Sequence, residues 1–208
     1  MHTIIDNVSQ NDYSEIMSSL SNEKTAAVVD AALSLFWSKG YKSCSMADVV
    51  RQTGVARYGL YQTFDDKDQL YCATLRRYQQ RLRNRFLKPI SNKRADYATL
   101  VEHFNQVLEQ IENGEHDGCF AHQASIERGD KNAEVNKIVN DIFSEIKSVY
   151  REMIINGVKD GQIRDLPIDD LVIYVMGIPR AVIAMTKQKC SLKERQDYVR
   201  CALKLLQP

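Results

Sequence analysis

The twenty residues SMADVVRQTGVARYGLYQTF, from Ser45 to Phe64, constrain this chain more than any other stretch. Ser45 has the side chain of a helix cap, and behind it Met46, Val49 and Val50 fall on one face of a short helix. Gly54 follows where the chain must turn sharply, because a residue without Cβ enters the left-handed region at no steric cost. In a second short helix Leu60 and Phe64 lie four apart and share a buried side, which turns Arg57, Tyr58, Tyr61, Gln62 and Thr63 outward. Two short helices crossing through a glycine turn, with basic, aromatic and amide side chains on the second, form a helix-turn-helix suited to a DNA major groove.

The charge distribution agrees with that reading although the overall balance does not. Net charge is only +1 over 208 residues, yet residues 22–94 hold 14 Lys and Arg against 6 Asp and Glu, a net of +8. Residues 1–21 carry −3 and residues 95–208 carry −4. Positive charge therefore gathers around the helix-turn-helix, where neutralising phosphates requires it.

Helical periodicity dominates the rest, and no stretch alternates like a strand. A first helix is expected from Asn22 as cap to Lys39, burying Val29, Leu33, Phe36 and Trp37 and ending at Gly40. After the helix-turn-helix, Asp66 caps a long helix with Leu70, Tyr71, Thr74, Leu75, Tyr78, Leu82 and Phe86 on one face, running to Pro89. Its other face carries Arg76, Arg77, Arg81, Arg83 and Arg85. Further helices are expected around Leu100–Ile111, Cys119–Arg128, Val135–Met153 with a stop near Gly157 and Gly161, and Pro167–Met185. A last one opens with a capping box of Ser191 and Glu194 and carries the stripe Tyr198, Ala202 and Leu205. The fold class is all-α with about nine helices, and 44% apolar residues suffice for a packed core.

The five cysteines include neither a CxxC pair nor a compact disulfide framework. A reducing cytoplasm is the expected setting. The N-terminus lacks the basic start and continuous apolar stretch of a signal peptide. Leu171–Met185 falls short of the ~20 apolar residues of a membrane span and contains Pro179 and Arg180, so it reads as a buried helix and no membrane partner is expected.

With these residues laid out, AALSLFWSKGYKSCSMADVVRQTGVARYGLYQTFDDKDQLY (Ala31–Tyr71) resembles the first four helices of the TetR family of bacterial transcriptional regulators, in order and spacing. The likeness is close over residues 24–75; beyond them it rests on helix number and length and on the pair Gly118 and Cys119. It implies an N-terminal three-helix DNA-binding domain joined by a long helix to a C-terminal helical domain for ligand binding and dimerisation. In this chain these would be a flexible tail over 1–21, the DNA-binding domain with its linking helix over 22–87, and the effector and dimerisation domain over 88–208.

The resemblance puts Ala56, Arg57, Tyr58 and Gly59 at the leading end of the recognition helix. It puts Tyr61, Gln62, Thr63 and Lys67 at phosphates, and Ser45 at the cap that also meets the DNA backbone. Tyr58 stands where a small residue or proline is common, Gly59 where a small hydroxylated residue is common, and Thr63 in place of a frequent histidine. Arg57 is matched in shape to the O6 and N7 acceptors of guanine, with phosphate contact the alternative. The expected partners are double-stranded operator DNA, a second copy of the chain, and a small apolar or aromatic effector.

His103, Phe104, Cys119, Phe120, His122, Tyr150, Met153, Met176 and Met185 are candidate effector contacts, each of which would also serve as ordinary core. His116, Cys119 and His122 form an HxxCxxH arrangement without an evident fourth ligand, so no metal and no cofactor are expected. A histidine beside Cys119 makes an electrophile- or redox-sensing regulator the alternative function. With no nucleophile elbow, glycine-rich phosphate loop or paired carboxylates, an enzyme is not expected; a helical protein-interaction adaptor is the remaining alternative.

Overall fold

The computed structural model describes residues 10–88, 96–113 and 118–208, and among them every regular element is helical. Two units are separated between Arg77 and Tyr78.

In the first unit α1 spans Gln10–Lys39. It starts well before Asn22, which lies inside the helix instead of capping it. No glycine or proline occurs between residues 10 and 39, and extending an existing helix costs far less than starting one. Val28, Val29, Ala32, Leu33 and Phe36 are buried, whereas Trp37 is only half-buried. The helix stops where Gly40 takes φ 80° and gives its N–H to the Phe36 carbonyl.

Behind it α2 (Met46–Thr53) is held by a complete capping box. The Ser45 hydroxyl accepts the Asp48 N–H, and the Asp48 carboxylate accepts the Ser45 N–H. Gly54 at φ 68° turns the chain into α3 (Arg57–Thr63), anchored inward by Leu60 and Phe64. Asp66 then caps α4 (Lys67–Leu82) through the Gln69 N–H. Tyr71 of α4 meets Phe36 and Tyr41 edge-on, at centroid separations of 5.0 and 4.9 Å. The Arg77 guanidinium closes the unit with a two-pronged bond to Asp30 of α1, at 2.6 and 2.8 Å.

From Tyr78 onward α4 belongs to the second unit and passes into a π-helical turn at Arg83–Leu87. Five helices follow: α5 (Tyr97–Glu112), α6 (Phe120–Arg128), α7 (Ala133–Lys159), α8 (Ile168–Lys187) and α9 (Leu192–Lys204). Asp96, Asn132 and Ser191 cap α5, α7 and α9 through their side chains, the last in the expected capping box with Glu194. Pro167 precedes α8 as expected, and Pro179 lies within it.

Leu100, Phe104 and Leu108 of α5 pack with Tyr150, Met153 and Ile154 of α7, Val172 and Val175 of α8, and Val199 and Leu203 of α9. Helix α7 runs through Gly157 and does not stop there. A Cβ at Gly157 would lie 2.5 Å from Ile163 Cδ1, so this glycine serves close packing. The terminating glycine is Gly161, at φ 70°. On α9 the buried stripe is Val199, Ala202, Leu203 and Leu206, while Leu205, expected to be buried, is 60% exposed.

One polar pair sits inside this apolar core. His103 of α5 and Tyr150 of α7 are both buried and hydrogen-bonded, Nε2 to hydroxyl, at 2.9 Å. Burial holds the His103 imidazole down to a pKa of about 4, since charging it there forfeits hydration.

Two outcomes follow from these features. Gly54→Ala is expected to lower the stability of the first unit by about 1 kcal/mol in urea unfolding, from backbone strain alone. No heavy atom lies within 4 Å of the added methyl, so a clash has no share in the cost. For His103 the unfolded state binds a proton below pH 6.5 and the folded state only near 4, so stability is lost as pH falls through that window. By pH 5 the loss is roughly 2 kcal/mol, and thermal midpoints of His103→Gln between pH 7 and 5 should lack this part of the fall.

Candidate nucleic-acid interface

Helix α3 is amphipathic within two turns. Leu60 and Phe64 face inward, and Arg57, Tyr58, Tyr61, Gln62 and Thr63 are all exposed, Tyr58 to 75%. The exposed residues make two pairs, each one helical turn apart. The Arg57 guanidinium carbon lies 5.6 Å from the centre of the Tyr61 ring, and Gln62 Nε2 donates to the Tyr58 hydroxyl at 2.8 Å.

Among the described residues Arg57 has no carboxylate partner. The contrast with other arginines is clear: Arg51 is paired with Asp48, Arg77 with Asp30 and Arg83 with Glu145. An exposed guanidinium resting on an aromatic ring keeps its planar fork of donors available to an incoming acceptor.

Ala56 is exposed and caps α3 without any side-chain bond. Gly59 is half-exposed, and a Cβ added there would meet only Val55 Cγ1, at 3.9 Å. The chain does not need glycine at this position for packing; its effect is to leave the exposed side of α3 low between Tyr58 and Tyr61. Thr63 gives its hydroxyl hydrogen to the Gly59 carbonyl. Ser45 likewise gives both its N–H and its hydroxyl hydrogen to Asp48. These bonds from Ser45, first through the side chain and then the backbone, hold the Asp48 carboxyl down to about 2, with Arg51 adding to the effect. The donors that Ser45 and Thr63 would offer a phosphate are thus engaged within the protein.

Lys67, at the start of α4, lies with Nζ 4.0 Å from the centre of the Tyr41 ring, whose hydroxyl donates to Asp68. Tyr41 was not singled out by the sequence pattern. It is half-buried in the loop between α1 and α2, outside either helix, so periodicity gave no signal for it. The arginine-rich side of α4 is less uniform than its sequence implies, because Arg77 and Arg83 are taken up by acids of their own units.

In the second unit the candidate effector residues fall into two groups. His103, Phe104 and Tyr150 form an aromatic cluster with centroids 5.5–5.9 Å apart, and Met153 and the half-buried Met176 join the same core. Cys119 and Phe120 sit instead against Tyr78. The Tyr78 hydroxyl is 3.4 Å from the Cys119 sulfur, and its ring meets Phe120 edge-on at 5.8 Å. Burial, helped by Cys119, raises the Tyr78 and Tyr150 phenols above their ordinary range. His122 is half-buried, and burial, then Arg180 and Lys187, lower its imidazole below its ordinary pKa. Met185 is half-buried and joins neither group by any ring or hydrogen-bond contact of its side chain. His116 lies outside the described residues. Among those described, no three His, Cys, Asp or Glu side chains are grouped so as to hold a metal, and no helix is long and apolar enough to cross a membrane.

Residues 28–74, which contain this interface, match the family described as bacterial regulatory proteins, tetR family. The HTH-type transcriptional repressor ComR of Escherichia coli K12 is 44% identical over 55 residues, a match spanning 26% of this chain and 26% of ComR. The fold extends further than that sequence match. A TetR-family transcriptional regulator from Agrobacterium tumefaciens superposes with a TM-score of 0.80 at 16% identity, over 90% of this chain and 99% of its own. A cysteine mutant of the TetR-family regulator CifR, solved with a 26 bp double-strand operator DNA, superposes with a TM-score of 0.75 at 17% identity, over 86% and 95%. Residues 28–74 thus carry the sequence of the bacterial regulatory proteins, tetR family, and the chain shares the fold of TetR-family regulators along most of its length.

Proposed function

We propose that the protein is a cytoplasmic repressor that occupies a palindromic operator as a homodimer and releases it when a small apolar or aromatic effector binds the second unit. The observation that carries this reading is the exposed row on α3, in which Arg57 stands without a carboxylate partner among the described residues and only a tyrosine ring beside it. A guanidinium left in this state favours an anionic or acceptor-rich partner, and duplex DNA supplies both. The operator complex of CifR, a protein of the same fold, supports the same use of the first unit. Arg57, with Ala56, Tyr58 and Gly59 beside it, would face base edges. Tyr61, Gln62, Thr63, Lys67 and Ser45 would lie along the phosphates.

Dimerisation finds support on α8 and just beyond α9, where Ile173, Tyr174 and Leu205 are large, apolar and exposed. An isologous contact through these helices would bury them and set two recognition helices about 34–36 Å apart, the spacing of successive major grooves. The buried His103, Phe104 and Tyr150 cluster supports an aromatic effector, whose entry would open this core and whose polar group the histidine–phenol pair would orient. Helix α4 spans Lys67–Leu82 and contains the boundary between the units. An effector that binds best when this helix is displaced would respace the recognition helices, and by linkage operator DNA would weaken the effector's binding by the same factor.

The test is fluorescence anisotropy with duplex DNA from upstream of the protein's own gene. Wild type should bind with affinity that falls steeply as salt rises, and Arg57→Ala should weaken it about ten-fold while narrowing its preference over random duplex. Salt-insensitive or absent binding would exclude the regulator reading.

A second reading concerns the trigger, and the 3.4 Å contact between Tyr78 and Cys119 favours it. The Cys119 thiol would add to the β-carbon of an α,β-unsaturated carbonyl. A C–S bond forms, the alkene electron pair shifts toward the carbonyl, and the thiol proton ends on the α-carbon. The adduct would push Tyr78 and α4 aside. Operator release by such an electrophile should be lost in Cys119→Ser; unchanged release would show that Cys119 is not the trigger.

A further inference from the structure

Tyr58 and Gln62 are one turn apart on the exposed side of α3, and the bond between them fixes what each can still offer. A glutamine amide has two N–H donors and an oxygen with two lone pairs. One donor of Gln62 is spent on the Tyr58 hydroxyl at 2.8 Å. Its second N–H and its Oε1 have no partner among the described residues, and the side chain is exposed. What remains is one donor and one acceptor in the plane of an amide whose rotation the tyrosine restrains, and they lie side by side when the N–H given to Tyr58 is the one turned away from Oε1.

That pair of groups is a poor match for phosphate and a good one for a single base. A phosphate oxygen only accepts, so it would use the remaining N–H and leave Oε1 facing negative charge. In the major groove adenine presents an acceptor, N7, beside a donor, the N6 amine, which is the complement of an amide. Guanine presents two acceptors there and would set its O6 against Oε1. Thymine offers an acceptor and a methyl group, and cytosine only a donor, so neither satisfies both sides of the amide. The restraint matters as well, because a free glutamine must give up rotamer freedom to make two bonds at once. The Tyr58 hydroxyl, having accepted the amide hydrogen, keeps its own to donate outward.

We propose that Gln62 reads an adenine in each operator half-site and that Tyr58 is its positioning residue, acting through the hydroxyl. This rests on the regulator reading above and replaces the phosphate role that the family resemblance assigns to Gln62.

The test selects binding sites from a random duplex library with the full-length protein, then measures affinities for the selected site. Wild type should fix an A·T pair at one position of each half-site, and guanine there should cost at least ten-fold. Replacing that adenine by 7-deazaadenine, which lacks only the N7 acceptor, should weaken wild type several-fold and leave Gln62→Ala unaffected. Tyr58→Phe keeps the ring and removes the hydroxyl. It should lower adenine-over-guanine discrimination several-fold at that position alone, with the dependence of affinity on salt unchanged. Circular dichroism equal to wild type would exclude unfolding as the cause.

If Gln62→Ala instead weakens binding equally on all sequences, with the salt slope reduced by about one, Gln62 contacts phosphate and the inference falls while the regulator reading stands. Full adenine discrimination in Tyr58→Phe would remove the positioning role. A wild-type protein that selects no sequence at all would overturn both readings together.

Discussion

Leu60 and Phe64 hold in place a helix of seven residues that would not persist in water by itself, because so short a helix cannot repay the cost of its first turn. Burying the two side chains contributes about 1.5–3 kcal/mol each, and that tertiary gain orders α3. Arg57, Tyr58, Tyr61, Gln62 and Thr63 then share one exposed side only because the two anchors occupy the other. The capping box at Ser45 and the left-handed turn at Gly54 contribute by bringing α3 onto its apolar seat at a fixed angle. The exposed face is thus a by-product of inward packing, and its chemistry can vary as long as the anchors do not.

Much of this was legible in the residues themselves. Spacing revealed both short helices, the Ser45 cap, the glycine turn and the anchor pair, since each is a local preference that tertiary packing reinforces. Where tertiary contact decides, the sequence misled or was silent. Asn22 has the character of a cap yet lies inside α1, because nothing before it stops the helix. Gly157 resembles a terminator, but its missing Cβ makes room for Ile163, a residue on the far side of the turn. Leu205 follows the apolar stripe by count and is turned outward, while Leu206 takes the buried place. Tyr41 beneath Lys67 is a side-chain pairing from a loop that no periodicity encodes, whereas helical spacing puts Tyr58 beside Gln62 without specifying the bond between them.

The second unit sets a polar pair inside an apolar bundle. His103 and Tyr150 each lose hydration on burial, and their mutual bond recovers only part of it. Leucine and phenylalanine would pack there at less electrostatic cost. Retaining a titratable ring and a phenol in such surroundings keeps one directional contact between α5 and α7 within a core otherwise made of carbon.

Gly59 has a different kind of consequence. Because a side chain there would touch only the edge of Val55, the position accepts other residues without any adjustment of Leu60, Phe64 or the turn before them. A single codon change at this point could append a serine or asparagine to the exposed row and, under the proposed reading, give the protein a new address on the chromosome, leaving the scaffold as it was. Divergence after gene duplication can begin at such a position, where altered recognition carries no penalty in foldability.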